Sequence, residues 1–179
     1  MSTSFQNIKG TFDILPDAYS DDGGTRIASS AEWRYVEETV RDVMRRHNFE
    51  EIRTPVLEPT ELVARGVGES TDIVQKEMFA FERGETQYVL RPEITAPVVR
   101  SFLQHHLDQR GGVQKLFYLG PCFRAEKPQK GRYRQFHQFG IEILGADEAR
   151  ADAETIAVLM TICEALGLSD LDLRLNTLG

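Results

Sequence analysis

Apolar residues return at helical spacing once the chain passes Ser30. Trp33, Val36, Val40, Val43, Met44 and His47 fall on one stripe, with Glu and Arg on the other faces. This predicts an amphipathic helix over Ser30–His47, with Asn48 as its stop. The ten residues EEIRTPVLEP then read as one short strand closed by Pro55 and Pro59. Prolines so placed exclude a central strand, so it is an edge or a surface that a partner covers. MFAFERGETQYVLRP predicts a hairpin, with strands near Met78–Phe81 and Gln87–Arg91 about the turn Arg83-Gly84-Glu85. A helix begins at Thr95, its expected cap, with Pro97 in the first turn. Lys115–Glu126 and Arg134–Leu144 are two further strands. Asp152–Leu166 is a helix with Ile156, Leu159, Met160, Cys163 and Leu166 on its apolar stripe, ended by Gly167, and DLRLNTLG is a last strand and turn. Ahead of all this, Met1–Ser30 reads as an extended arm broken at Asp21-Asp22-Gly23-Gly24, and Gly66–Asp72 as a loop. Strands joined by hairpins, with helices set apart, predict an α+β domain on an antiparallel sheet.

Composition narrows the classes. The 179 residues, 41% hydrophobic and 27% charged, suit one soluble domain with a sizeable core. No apolar run approaches the roughly 18–20 residues of a membrane span, and the first residues lack a basic region followed by an apolar one, so no secretory signal is expected. Cys122 and Cys163 lie far apart without CxxC spacing, which points away from a disulfide framework or zinc site and fits a reducing cytoplasm. The net charge of −7 argues against a general nucleic-acid coat.

Against that acidity, Arg124 to Arg134 sets five cations against one anion, a local +4. The strand after it sorts by parity. Phe139, Ile141 and Ile143 point to an apolar side; Phe136, Gln138, Gly140 and Glu142 point to the other. Parity also groups Cys122, Arg124 and Glu126, and pairs Arg91 with Glu93. If these strands are neighbours, one sheet face gathers Glu93, Arg124, Glu126, Phe136, Gln138 and Glu142 around a gap at Gly140. Arg124 is suited to a bidentate grip on phosphate, Phe136 to a planar base, and Glu93, Gln138 and Glu142 to an ammonium group. Taken singly, Arg124 and Glu126 read more often as a cross-strand ion pair than as a site, and a basic loop about as often as a solvated surface. Taken together they suggest a nucleotide beside an amino acid. Other candidates fail. Gly66–Thr71 lacks the lysine and context of a phosphate-binding loop. His105 and His106 are adjacent and diverge near a helix end. His47 is a helix edge, and His137 falls on the apolar side.

FRAEKPQKGRYRQFHQFGIEILG closely resembles motif 2 of class II aminoacyl-tRNA synthetases, and in its detail the histidyl-tRNA synthetase family. IKGTFDILP, EEIRTPVLEPTELVARGVGESTDIVQKEMF and VLRPEITAPVVR resemble the same family in the same order, so the likeness runs from Ile8 onward. It implies a class II antiparallel sheet flanked by helices, with motif 1 at about 30–59 and motif 2 at about 115–145. It implies an ATP-dependent histidine–tRNA ligase that uses Mg²⁺, forms histidyl-adenylate and transfers histidine to tRNA(His). Glu93, Thr95, Arg124, Gln138 and Glu142 would bind histidine; Arg124, Glu126, Arg132 and Phe136 would bind ATP; Arg124 would be catalytic. Motif 1 would form a homodimer, in the cytoplasm. Ile94 departs from the glycine more usual in that run. Family members continue with motif 3 and an anticodon-binding domain. Residues 1–179 are therefore expected to be the N-terminal portion of a catalytic domain, truncated before motif 3, without the anticodon domain, and weak or inactive alone. The competing expectation is a synthetase-like, histidine-binding regulatory subunit of ATP phosphoribosyltransferase, which has no need of Arg124, Glu126, Arg132 and Phe136.

Overall fold

Two long antiparallel strands organise the chain. The computed structural model describes residues 5–21, 23–68, 77–127, 129 and 131–176. A small hairpin, β1 (Tyr19–Ser20) with β2 (Arg26–Ile27), leads into helix α1 (Ser30–Arg46). Ser29 caps α1 reciprocally with Glu32, and Asn48 turns the chain out of the helix with a left-handed φ of 59°. Next come β3 (Glu50–Glu51), β4 (Leu57–Pro59), α2 (Thr60–Val67), the hairpin β5 (Phe79–Arg83) and β6 (Thr86–Leu90), and α3 (Thr95–Gln104). After a short 3₁₀ turn at Leu107–Arg110 follow β7 (Gln114–Phe123), β8 (Gln135–Leu144) and α4 (Ala149–Ala165).

The strands form three sheets, β1-β2, β3-β7-β8 and β4-β6-β5, with helices set against them, an α+β architecture. The segment expected as one strand divides between two of them. β3 runs parallel to β7, Glu50 opposite Leu116, and β4 runs antiparallel to β6, Leu57 opposite Leu90. Pro55, without an N–H, stands where the chain changes sheets. Both pieces are edges, as the prolines required. The changeover is fastened from inside by Arg91, only 4% exposed. Its guanidinium donates to the carbonyls of Thr54 (2.9 Å), Pro55 (3.4 Å) and Pro121 (3.0 Å) and to the Thr54 hydroxyl.

β7 and β8 separate two cores. On one side Val40, Val43 and Met44 of α1 meet Val158 and Ile162 of α4, Phe49 and Phe117, with Leu119, Ile141 and Ile143 packed against them. On the other side lie Ile94, Val98, Leu116, Tyr118 and Cys122, with Ile52, Phe136 and Leu144 packed against them. The predicted parity of β8 therefore holds. The predicted stripe of α4 does not: Val158 and Ile162 are buried, whereas Leu159 is 49% exposed. The stretch Ile156–Met160 is apolar nearly all round, so it fixes no phase, and the packing of α1 chooses one. α2 continues through Gly66 and Val67, where a loop was expected; residues 69–72 of that loop lie outside the described residues. Among the described residues, 171–176 form no strand, and 177–179 lie outside them. Among the described residues no helix is long and apolar enough to cross a membrane.

Candidate functional site

The register of β7 and β8 builds the floor. Cys122 pairs with Phe136, Gly120 with Gln138, Tyr118 with Gly140 and Leu116 with Glu142. Even-numbered side chains of both strands share a face, so Phe136, Gln138 and Glu142 stand in a row on β8 as predicted. β7 ends at Phe123, but the ladder continues one step, Arg124 N–H donating to the Arg134 carbonyl at 2.9 Å. This holds Arg124 over the Phe136 ring, its guanidinium carbon 5.2 Å from the ring centre. Arg124 Nε also donates to the Pro92 carbonyl at 3.1 Å. Glu126 sits between two cations, 3.0 Å from Arg132 Nη1 and 4.0 Å from Arg124 Nη1. Arg132, with 63% of its side chain exposed, reaches outward from the loop. The phosphate end of the face thus holds two arginines bridged by one carboxylate. The Phe136 face expected to stack on a base carries the Arg124 guanidinium.

The expected pairing of Arg91 with Glu93 fails. β6 ends at Leu90, so strand alternation stops before either residue. Arg91 turns inward, and Glu93 turns to the start of α3. The Glu93 carboxylate accepts from the backbone N–H groups of Thr95 at 2.6 Å and Ala96 at 3.0 Å. Thr95 is therefore the first residue of α3, not its cap, and a carboxylate does the capping, which also suits the positive helix end. The Thr95 hydroxyl lies beside Tyr118 and Glu142 and favours the ionised form of each. Ile94 does not reach the floor's surface: it is 1% exposed and belongs to the core beneath it.

The gap read at Gly140 is filled by Tyr118. A Cβ at position 140 would land on the Tyr118 phenol, so glycine is what lets the ring lie across β8. Its hydroxyl lies 3.5 Å from Glu142 Oε1. Tyr118 is the residue that sequence reasoning missed; the signal available was a glycine in an otherwise filled row, opposite a large side chain at one register. Beside it the Cys122 thiol donates to Gln138 Oε1 at 3.7 Å.

Burial governs the electrostatics here. It pushes the Tyr118 phenol up to about 12, against the Thr95 hydrogen bond, with the carboxylates of Glu142 and Glu93 adding to the rise. Burial also raises the Cys122 thiol to about 11, against the nearby Arg91 and Arg124. Glu142 is raised above 4.5 chiefly by burial and further by the charge of Glu93, while hydrogen bonds from Thr95 and Tyr118 pull it down. The face therefore has two ends: one cationic and partly solvated, the other a half-buried carboxylate beside two hydroxyls. His137, on the opposite face, packs edge-on to Trp33 at 4.8 Å and is kept off the site. Two clefts lie elsewhere, one of about 740 Å³ between the N-terminal arm and Arg132–Tyr133, and an apolar one of about 500 Å³ beside Trp33. Neither is lined by Glu93, Thr95, Arg124, Gln138 or Glu142, although Arg132 lines the first.

Known proteins resemble this chain over nearly its whole length. A histidine–tRNA ligase of Thermosynechococcus vestitus is 51% identical over 172 residues, 96% of this chain and 38% of that protein. One from Anoxybacillus flavithermus is 51% identical over 179 residues, covering 98% and 40%. The solved apo histidyl-tRNA synthetase of S. aureus superimposes with a TM-score of 0.73 at 37% identity, over 93% of this chain and 36% of that one. The chain thus spans about two fifths of the length of the relatives it matches. The family model for histidyl-tRNA synthetase matches residues 27–179, and with half of the aligned positions identical to two such ligases the chain belongs to the histidyl-tRNA synthetase family.

Proposed function

We propose that this face is the site where histidine is activated by ATP, within an ATP-dependent histidine–tRNA ligase whose catalytic domain these residues begin. The observation that carries the reading is the division of one sheet face into a guanidinium pair and a half-buried carboxylate. Glu142, Gln138 and Glu93 would receive the ammonium of histidine, with Thr95 beside them. Arg124 stands between that group and the outer phosphates, where it would meet both the histidine carboxylate and the α-phosphate. Arg132 would take the outer phosphates, Glu126 would hold the two arginines in register near the base, and Phe136 would underlie adenine once Arg124 turns to phosphate. The carboxylate oxygen of histidine attacks the α-phosphorus, the bond to pyrophosphate breaks, and the adenylate then passes its histidyl group to a ribose hydroxyl of tRNA(His). The chain's share of this catalysis is orientation and charge stabilisation. Magnesium enters as the companion of ATP. On this face Arg124 and Arg132 would meet the phosphate charge, and the magnesium carried by ATP would share that load.

A homodimer through the motif 1 region would use the exposed face of the second sheet. Leu57 and Phe81 are each 47% exposed, and Phe81 stacks on Tyr88 at 5.8 Å. Register places all three on the face of β4-β6-β5 opposite the one holding buried Val89. A protein described as an ATP phosphoribosyltransferase regulatory subunit/histidyl-tRNA synthetase from Bacillus halodurans C also shares the fold, at 25% identity and a TM-score of 0.75. The Arg124–Glu126–Arg132 arrangement favours the ligase reading, because a histidine sensor has no use for a phosphate grip.

Calorimetric titration of the chain with histidine and with ATP separately tests the assignment. Binding of ATP should weaken about 100-fold or more in Arg124→Ala, the scale of losing a charged, preorganised donor. ATP binding equal in the two proteins would overturn it.

A further inference from the structure

We propose that Tyr118 is a positioning residue of the ammonium end of the site: its phenol, admitted by Gly140, fixes the orientation of the Glu142 carboxylate and the Thr95 hydroxyl. The inference rests on the histidine-activation reading above and adds a residue to it.

Three observations meet at this side chain. Tyr118 is 4% exposed, and its body belongs to the core beneath the floor. Its ring crosses the adjacent strand where only glycine leaves room. Its hydroxyl ends 3.5 Å from Glu142 Oε1, with the Thr95 hydroxyl beside both groups. A ring locked by packing on both sides has one place to put its hydroxyl, and that place is the carboxylate. A core phenylalanine would pack equally well, so the hydroxyl is what remains to be explained.

The surroundings of Glu142 say what the hydroxyl does. β7 presents Tyr118, and α3 with its leading turn presents Thr95 and the carboxylate of Glu93. Gln138 stands two residues away along β8. Among the described residues no cation pairs with Glu142. A half-buried carboxylate facing another carboxylate tends to keep its proton, and a protonated Glu142 has one acceptor fewer for an ammonium. Hydrogen bonds from Tyr118 and Thr95 oppose that tendency, holding Glu142 ionised and aimed before the amino acid arrives. Tyr118 itself would touch no reacting atom.

The test compares the chain with Tyr118→Phe, which removes one oxygen and keeps the ring. The Glu142 carboxyl is titrated by carbon-13 NMR, and histidine and ATP affinities are measured across pH. The Glu142 midpoint should rise in Tyr118→Phe, and histidine binding should begin to fail at a higher pH. Histidine affinity should drop about tenfold, the scale of one hydrogen bond to a charged group, with ATP affinity unchanged. Site-specific 3-fluorotyrosine at position 118, a stronger donor of the same shape, should move the midpoint the other way, so an unfolded Phe variant does not shelter the proposal. An identical Glu142 midpoint in parent and variants would overturn it, as would equal losses of histidine and ATP affinity. A midpoint that moves as stated in a parent chain that binds no histidine would uphold the Tyr118–Glu142 link and overturn the ammonium reading.

Discussion

Glu142 is a side chain that the fold holds at a disadvantage. Its carboxyl is raised above the ordinary 4.5 by burial and by Glu93. As pH rises, the unfolded chain therefore releases this proton before the native chain does. The stability tied to this group is fully present below about pH 4.5 and is lost as pH climbs through the raised native value. Glu142→Gln should accordingly raise the melting temperature of the ligand-free chain by a few degrees at pH 7, with little change near pH 4, while lowering histidine affinity. A thermal melt series against pH checks this; a variant less stable than the parent at pH 7 would contradict it. At this scale much of the site was legible. Phe136, Gln138 and Glu142 needed only strand parity, which is a property of the backbone. Glu93 and Tyr118 were not legible in their roles. The first lies beyond its strand, where parity no longer applies and a helix terminus claims the carboxylate. The second depends on which residue faces Gly140, and that is a matter of register between strands.

Elements were legible where one face is buried and the other wet. The periodicity of α1 was sufficient, because Val40, Val43 and Met44 define a single stripe. It failed for α4, whose apolar residues surround the helix, and for EEIRTPVLEP, where two edge strands lie in one short run. The second case turns on Arg91, which in sequence resembles an outward site residue and in the structure ties β3–β4 to β7. Its buried guanidinium satisfies three carbonyls, so Arg91→Leu should destabilise the chain by about 3 kcal/mol, orphaned acceptors costing on the order of 1–3 kcal/mol each. Arg91→Lys should restore only part of this, because a single ammonium cannot span the fork. Urea denaturation measures both; a loss under 1 kcal/mol for Leu would remove Arg91 from this role. The face of β4-β6-β5 gives the other element-scale prediction. A charge on it, Leu57→Asp, should shift the chain from dimer to monomer in sedimentation velocity at micromolar concentration. A monomeric parent, or a variant that sediments as the parent does, would remove this face from the dimer proposal.

For the molecule as a whole, two sheets divide the proposed work. β3-β7-β8 carries the chemistry on one face and the main core on the other, while β4-β6-β5 offers an apolar surface outward. Arg91 joins them through Thr54, Pro55 and Pro121, so the proposed dimer face and the floor of the site are one connected structure. The chain corresponds to 38% of the length of the Thermosynechococcus relative, a histidine–tRNA ligase. The most direct measurement therefore places these residues in place of the matching segment of that relative and follows histidine-dependent ATP–pyrophosphate exchange. Exchange should be retained with the parent sequence and fall in Arg124→Ala by about 3–4 kcal/mol of transition-state stabilisation, the scale of other preorganised donors. Undiminished exchange in Arg124→Ala would contradict the account.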